Sequence, residues 1–190
     1  LKIPYKICTP DVDETLDSKL SLIEQCLHLS ELKAEKVKSD ILKYGKIKHG
    51  LIILAADTLV GLNQKKLEKP KDALDAKQML MSLSGKKHQV VTGLCIIYSE
   101  DGLSWKKEKI HAESVVTFHS LTNEMIDYYV ATKDGLDKAG AYGIQGFAQS
   151  FVSRIDGTYS NVVGLPIDLV VQFLETKIST GKKNWQNLIL

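Results

Sequence analysis

Residues 51–70, LIILAADTLVGLNQKKLEKP, hold the side chains best placed to do chemistry. Asp57 and Thr58 follow an apolar run, Leu51-Ile52-Ile53-Leu54-Ala55-Ala56, that shows no polar alternation. Such a run predicts a strand covered on both faces, and open α/β sheets set their ligands at the C-terminal ends of such strands. Thr58-Leu59-Val60-Gly61-Leu62 and Lys65-Lys66-Leu67-Glu68-Lys69 flank Asn63-Gln64, which reads as a hairpin turn. In a hairpin centred there, Thr58 faces Lys69, Val60 faces Leu67 and Leu62 faces Lys65. Asp57, Thr58 and Lys69 are therefore expected to converge at one end of a short ribbon. An acid beside a lysine at a strand end can hold a metal ion and a phosphate. The same residues also read as a turn-capping Asp and a solvated Lys.

Other elements must position this stretch. Residues 3–9 (IPYKICT) read as a strand, left through Asp11, Asp13 and Glu14; these acids can face solvent or offer a metal ligand. Asp17 or Ser18 can cap a long helix over residues 19–44. Its apolar stripe is Leu20, Ile23, Leu27, Ala34, Val37 and Ile41, with a break near Ser30 and a stop at Gly45. Lys33, Lys36, Lys38 and Lys43 decorate it as a solvated face, and the pattern does not single out Lys33. Asp72 starts a helix over 73–83 that ends at Ser84-Gly85. Residues 89–99 and 104–119 form a long antiparallel hairpin around Glu100-Asp101-Gly102. Thr122 caps a helix over 123–132. A glycine-rich segment follows, Gly135 to Gly146, with Gln145 between Ile144 and Gly146; such glycine density suggests backbone close to a ligand. Its spacing fits neither a dinucleotide fingerprint nor a phosphate loop. A short strand over 151–155, a turn at Asp156-Gly157 and a last helix over 167–177, with Pro166 at its start, complete the assignable chain. Residues 180–190 read as a lysine-containing tail without assigned structure.

The whole chain narrows the function. Its 190 residues suffice for one domain, or one domain of two lobes, with a real core. With Lys+Arg at 25 against Asp+Glu at 23, the net charge of +2 argues against a dedicated nucleic-acid surface. Cys8, Cys26 and Cys95 form no CxxC pair, which suggests reduced thiols and a cytoplasmic protein rather than a disulfide framework or zinc site. No apolar run reaches the roughly 20 residues that cross a bilayer, so no membrane partner is expected.

Ala55-Ala56-Asp57-Thr58-Leu59-Val60, Lys69-Pro70 and Leu83-Ser84-Gly85, with His88 and Thr92, resemble blocks of the Maf family of nucleoside triphosphate pyrophosphatases, first described as septum-formation proteins. Two later blocks agree: residues 137–146, DKAGAYGIQG, and 157–166, GTYSNVVGLP. Together these blocks cover the chain from about residue 3 to 173. The resemblance implies an α/β fold with a mixed central sheet flanked by helices and two lobes around a cleft, akin to the inosine triphosphatase type. It implies a hydrolase that converts a nucleoside triphosphate to the monophosphate and pyrophosphate with Mg²⁺ or Mn²⁺, acting as a homodimer. Asp57 matches the proposed catalytic base and, with Glu14, the metal site. Lys33, in Lys33-Ala34, and Lys69 match phosphate-binding lysines.

Thr58 and Gln145 match the subgroup that prefers dTTP and UTP; the sister subgroup acting on 7-methyl-GTP tends to carry Gln and Glu there. A neutral Gln offers a donor and an acceptor, whereas an ionised Glu only accepts. Two departures stand out. The family's S-x-S-P-R-R block is not found, and because Leu1 is not an ordinary start, a preceding segment carrying it is expected. Glu68 replaces the glycine before Lys69-Pro70 and is expected to point away from phosphates. Competing functions are the same reaction on a purine or modified-purine triphosphate, and a non-catalytic nucleotide-binding or cell-division role.

Overall fold

Residues 5–15, 20–45, 50–63 and 65–178 are described by a computed structural model. Its first helix, α1 (Leu22–Lys43), begins at a capping box. The Ser21 hydroxyl accepts from the Glu24 N–H, and the Glu24 carboxylate accepts from the Ser21 N–H at 2.8 Å. The expected caps Asp17 and Ser18 lie outside the described residues. Ser30 does not break the helix: its hydroxyl donates to the Leu27 carbonyl at 3.0 Å and the turns continue. Cys26, Leu29, Ser30 and Ala34 form the buried face, flanked by Leu22, Val37 and Ile41. The first half of the expected stripe is therefore rotated. Small residues at Cys26, Ser30 and Ala34 let the helix axis approach the sheet, which longer side chains at those positions would hold off.

Among the described residues five strands follow: β1 (Leu51–Leu62), β2 (Lys65–Leu67), β3 (Lys87–Ser99), β4 (Lys106–Phe118) and β5 (Val152–Asp156). They lie in the order β2-β1-β3-β4-β5. The α/β class is the one expected, but every pairing among the described strands is antiparallel, not mixed. Short turns join β1 to β2 and β3 to β4, and such turns can only make antiparallel pairs. The expected strand over 3–9 is absent from residues 5–9, which carry no regular structure; residues 3 and 4 lie outside the described set. The hairpin register is the expected one, with Val60 opposite Leu67 and Leu62 opposite Lys65; Gln64 lies outside the described residues.

One expectation about β1 is overturned. The strand does not end at Asp57 but runs through Asp57-Thr58 to Leu62, paired along its length with β3. Alternation therefore sends Asp57 and Thr58 to opposite faces of the sheet. The Asp57 face is covered by α1, with Ile53, Cys95 and Ile97 against Ala34, and Leu59 and Val91 against Cys26. Two groups of elements share the Thr58 face. Helices α2 (Ala73–Leu83) and α3 (Asn123–Thr132), capped by Asp72 and Thr122 as expected, pack with Tyr142 and Phe151 on Val60, Val90, Val116 and Phe118. The short α4 (Tyr159–Val163), which the sequence did not announce, precedes α5 (Ile167–Phe173); α5 supplies Val170 and Phe173 to a second cluster on Leu94, Ile96 and Tyr98. A wider turn continues α5 to Ile178, and the tail beyond lies outside the described residues.

Gly93 sets how closely α1 can lie. It pairs with Asp57 across the β1–β3 ladder, and a Cβ placed there would stand 2.6 Å from the Cys26 carbonyl carbon and 2.7 Å from the Leu27 nitrogen. These contacts are backbone, so only a shift of the helix could relieve them. Ion pairs hold the outer side of α1 to β4: Lys109 reaches Glu31 at 2.7 Å, and Lys107 bonds both Glu31 and Glu35. Gly93→Ala should therefore lower stability by about 1–3 kcal/mol through overpacking. Urea denaturation measures it, and an unchanged midpoint would refute the close-contact reading.

Candidate active site

Asp57 sits at mid-strand beneath α1, its side chain only 11% exposed. Lys33 comes down from α1 and places Nζ 2.5 Å from Asp57 Oδ1 and 2.9 Å from Glu14 Oε1. One ammonium thus joins two carboxylates from distant parts of the chain. Their ionisation follows from this geometry. Burial pushes the Asp57 carboxyl up, and the Lys33 bond offsets that only in part, so it remains above the usual carboxylate range. Glu14, half exposed, is held below that range, first by its hydrogen bond from Lys33. Burial works against the Lys33 charge, but its bonds to Asp57 and Glu14 outweigh it and raise the ammonium pKa.

The donor set here is hard oxygen. Two carboxylates that already share one cation suit Mg²⁺ or Mn²⁺, with the remaining positions filled by water and by oxygens of an anionic ligand. Among the described residues no group of three or more His, Cys, Asp or Glu could cage a metal unaided. Glu14 and Asp57 therefore fit a metal that shares its ligand with the protein, not one the protein encloses.

The opposite face of β1 lines a cavity of about 540 Å³, within the range of small-molecule sites. Thr58, Val60 and Val90 form its floor, Tyr142 to Gly146 one wall, and Val162 and Val163 of α4 another. Gln145 and Lys69 both line it. The glycine-rich segment is thus a cavity wall. Asp134, Asp137 and Lys138 also line it, with Lys138 bonded to Asp137 at 2.7 Å. Asp57 is not among the lining residues. The expected meeting of Asp57, Thr58 and Lys69 at one point is thus corrected: Thr58 and Lys69 share the cavity, whereas Asp57 lies behind the strand with Lys33 and Glu14.

Lys69 links the two regions. Its charge helps lower Glu14, behind the principal effect of Lys33, and Asp137, behind the principal effect of Lys138. It therefore stands within electrostatic reach of both the acid–lysine cluster and the cavity. A further cation, Lys66, was not singled out from the sequence. It pairs with Gly61, whose missing side chain faces Leu22 of α1, so Lys66 lies on the Asp57 face and helps lower both Asp57 and Glu14. The hairpin register with strand alternation was the available signal. Glu68 is 74% exposed, bonds Lys66 at 3.3 Å and does not line the cavity.

Buried polar groups brace the cavity wall. His88 Nε2 lies 2.8 Å from the Tyr142 hydroxyl, and the rings of His88 and Tyr142 both stand edge-on to Phe118. Burial pushes the His88 imidazole down to about 4, so it is neutral at pH 7.

A family model described as Maf-like protein matches residues 1–177. A dTTP/UTP pyrophosphatase of Alkaliphilus oremlandii (strain OhILAs) is 44% identical over 168 residues, covering 88% of this chain and 82% of its own. Proteins with the same name from Bacillus pumilus (strain SAFR-032) and Symbiobacterium thermophilum (strain DSM 24528 / JCM 14929 / IAM 14863 / T) are 41% and 40% identical. They match over 90% of this chain and over 85% and 82% of their own lengths. No helix among the described residues is long and apolar enough to cross a membrane.

Removing Lys33 leaves Asp57 buried beside Glu14 without its counter-ion. Lys33→Met should cost about 3 kcal/mol of stability at pH 7, and adding Asp57→Asn should recover most of it. Urea unfolding of the four proteins of this cycle is the check; additive losses would show that the pair is not coupled. His88 makes a separate demand. Its folded value near 4 lies below the ordinary 6.5, so the unfolded chain takes the proton first. Stability should fall by up to about 3 kcal/mol as pH drops from 6.5 toward 4, and His88→Phe should flatten that slope. Unfolding midpoints across that pH range measure both.

Proposed function

The chain belongs to the Maf family, and from that premise we propose that it is a nucleoside triphosphate pyrophosphatase, an acid-anhydride hydrolase that converts dTTP and UTP to the monophosphate and pyrophosphate. The observation that carries this reading is Lys69, within electrostatic reach of the Lys33–Asp57–Glu14 cluster on one side and lining the Thr58–Gln145 cavity on the other. The nucleoside occupies the cavity, with Thr58 and Gln145 reading its base. The triphosphate passes Lys69 toward the acid–lysine cluster. The two lobes of the proposed single domain are the groups of elements on either side of this cavity.

Water attacks the α-phosphorus in line, and pyrophosphate leaves. Asp57 orients that water and takes its proton, help that is typically worth ~10²–10⁴-fold. Lys33 and Lys69 hold phosphate oxygens and neutralise charge that grows on the departing group. Glu14 and Asp57 are the residues that would hold Mg²⁺ or Mn²⁺, which when bound supplies further neutralisation at the phosphates. For Lys33 to meet phosphate it must loosen its grip on the two carboxylates, which become available as it does so. The protein is proposed to act as a homodimer on free nucleotides in the cytoplasm. The family resemblance supports the dimer, and the free thiols of Cys8, Cys26 and Cys95 support the compartment.

The test is pyrophosphate release from a panel of nucleoside triphosphates with Mg²⁺ or Mn²⁺. dTTP and UTP should be turned over fastest. Asp57→Asn keeps the shape and should lower kcat by at least ~10²-fold while the protein stays folded by circular dichroism. Turnover close to wild type in that variant would sink the assignment of Asp57.

A further inference from the structure

Lys66 is a cation that the reaction as derived above does not use. It stands opposite Gly61 in the β1–β2 ladder, on the face that carries Asp57. A Cβ at Gly61 would lie 2.3 Å from Leu22 Cδ1, so Leu22 of α1 fills the space there. Lys66 keeps only 24% of its side chain exposed. Two residues on, strand alternation returns Glu68 to the same face, and its carboxylate meets the Lys66 ammonium at 3.3 Å. Among the described residues Glu68 is the one carboxylate within ion-pair distance of Lys66.

Lys33 and Lys66 share this face but differ in what each must release to meet a phosphate. Lys33 is bonded to two carboxylates, one of them the buried Asp57, and its departure leaves a buried charge unpaired. Lys66 has a single partner that is 74% exposed, so water takes over the Glu68 charge when the pair parts. A polyphosphate brings more charge than one carboxylate and makes the stronger bond to an ammonium. Lys66 therefore exchanges partners more readily than Lys33. Its charge also helps hold down the proton affinity of Asp57 and Glu14, so it stands within electrostatic reach of the cluster. Lys69, three residues on, lines the cavity on the opposite face. An anion that enters past Lys69 meets Lys66 only with the end furthest from the cavity.

We propose that Lys66 is a phosphate-binding residue that Glu68 holds in the free protein and that passes to the β- and γ-phosphates of a bound nucleoside triphosphate, the two that leave as pyrophosphate. This inference rests on the pyrophosphatase reading above, and it concerns the number of phosphates rather than the base. Glu68 competes with the product for the same ammonium. As pyrophosphate departs, the carboxylate takes the ammonium back, which limits how tightly the product is held.

Calorimetric titration with pyrophosphate at fixed Mg²⁺ tests the exchange in four proteins: wild type, Lys66→Met, Glu68→Gln and the double variant. Lys66→Met should weaken pyrophosphate about tenfold, and Lys66→Arg should keep most of the affinity. Glu68→Gln should tighten pyrophosphate about threefold, and that gain should vanish when Lys66 is already Met. Uridine monophosphate, which lacks the two terminal phosphates, should bind all four proteins equally, and this also shows that each is folded. Wild-type protein that does not bind pyrophosphate, or Lys66→Met that binds it as wild type does, overturns the proposal. An equal gain from Glu68→Gln with Lys66 present or replaced shows bare repulsion by the carboxylate and overturns the exchange. Loss of uridine monophosphate in step with pyrophosphate, in a Lys66→Met protein with the wild-type circular dichroism spectrum, overturns the placement at the terminal phosphates. If the wild-type protein hydrolyses no nucleoside triphosphate, the pyrophosphatase reading falls, while the pyrophosphate titrations still judge Lys66 and Glu68.

Discussion

A single ammonium group, that of Lys33, neutralises two carboxylates at the seam between α1 and the sheet. Much of the structure follows from that arrangement. A carboxylate as buried as Asp57 is tolerable only if a cation reaches it with good geometry. The cation hangs from a helix, so the helix must lie low over the strand. Gly93 leaves the space, Cys26, Ser30 and Ala34 present a thin helix face, and the pairs from Lys107 and Lys109 to Glu31 and Glu35 keep the helix from rolling. Glu14, on a stretch without regular structure, is drawn to the same ammonium.

The second constraint is the two-residue repeat of an extended chain. β1 crosses the site without interruption, so acid–lysine chemistry lies on one face and the cavity on the other. The β1–β2 hairpin brings Lys66 to the first face, and Lys69, just past its end, lines the cavity on the second. A ligand that engages both regions must be long and carry charge toward one end, and a nucleoside triphosphate has that shape.

Some of this could be read from the sequence and some could not. Local signals served where the interaction was local. Asp72 and Thr122 cap their helices as read, and the hairpin register around Asn63 follows from turn position alone. Ser21 with Glu24 forms a capping box whose spacing is legible in the sequence, yet the sequence reading names only Asp17 and Ser18 as caps. A polar pair inside a buried strand looks like an ending, so the sequence alone places the end of β1 at Asp57-Thr58. What lets the strand continue comes from elsewhere: Lys33, 24 residues earlier, takes Asp57, and Thr92, 34 residues later, takes Thr58. Once the helix register is set by Cys26, Ser30 and Val37, Lys33 falls in line with the covered face; without it, Lys33 is one lysine among several. The five residues of α4 are too few for periodicity to declare them, yet they supply a cavity wall and the anchor at Asn161.

Asp57 and Thr58 are neighbours in the chain, but their side chains share no partner. One is bonded through α1, the other through β3 and α4. The two side chains leave the strand on opposite faces, so a substitution at one does not remove a bond of the other. Over evolutionary time the cavity wall can therefore drift, substitution by substitution, without dragging the ion cluster along, although the two codons touch. A lineage that kept the cluster intact could sample new side chains at cavity-lining positions such as Thr58 and Gln145 and pass through few non-viable intermediates on the way.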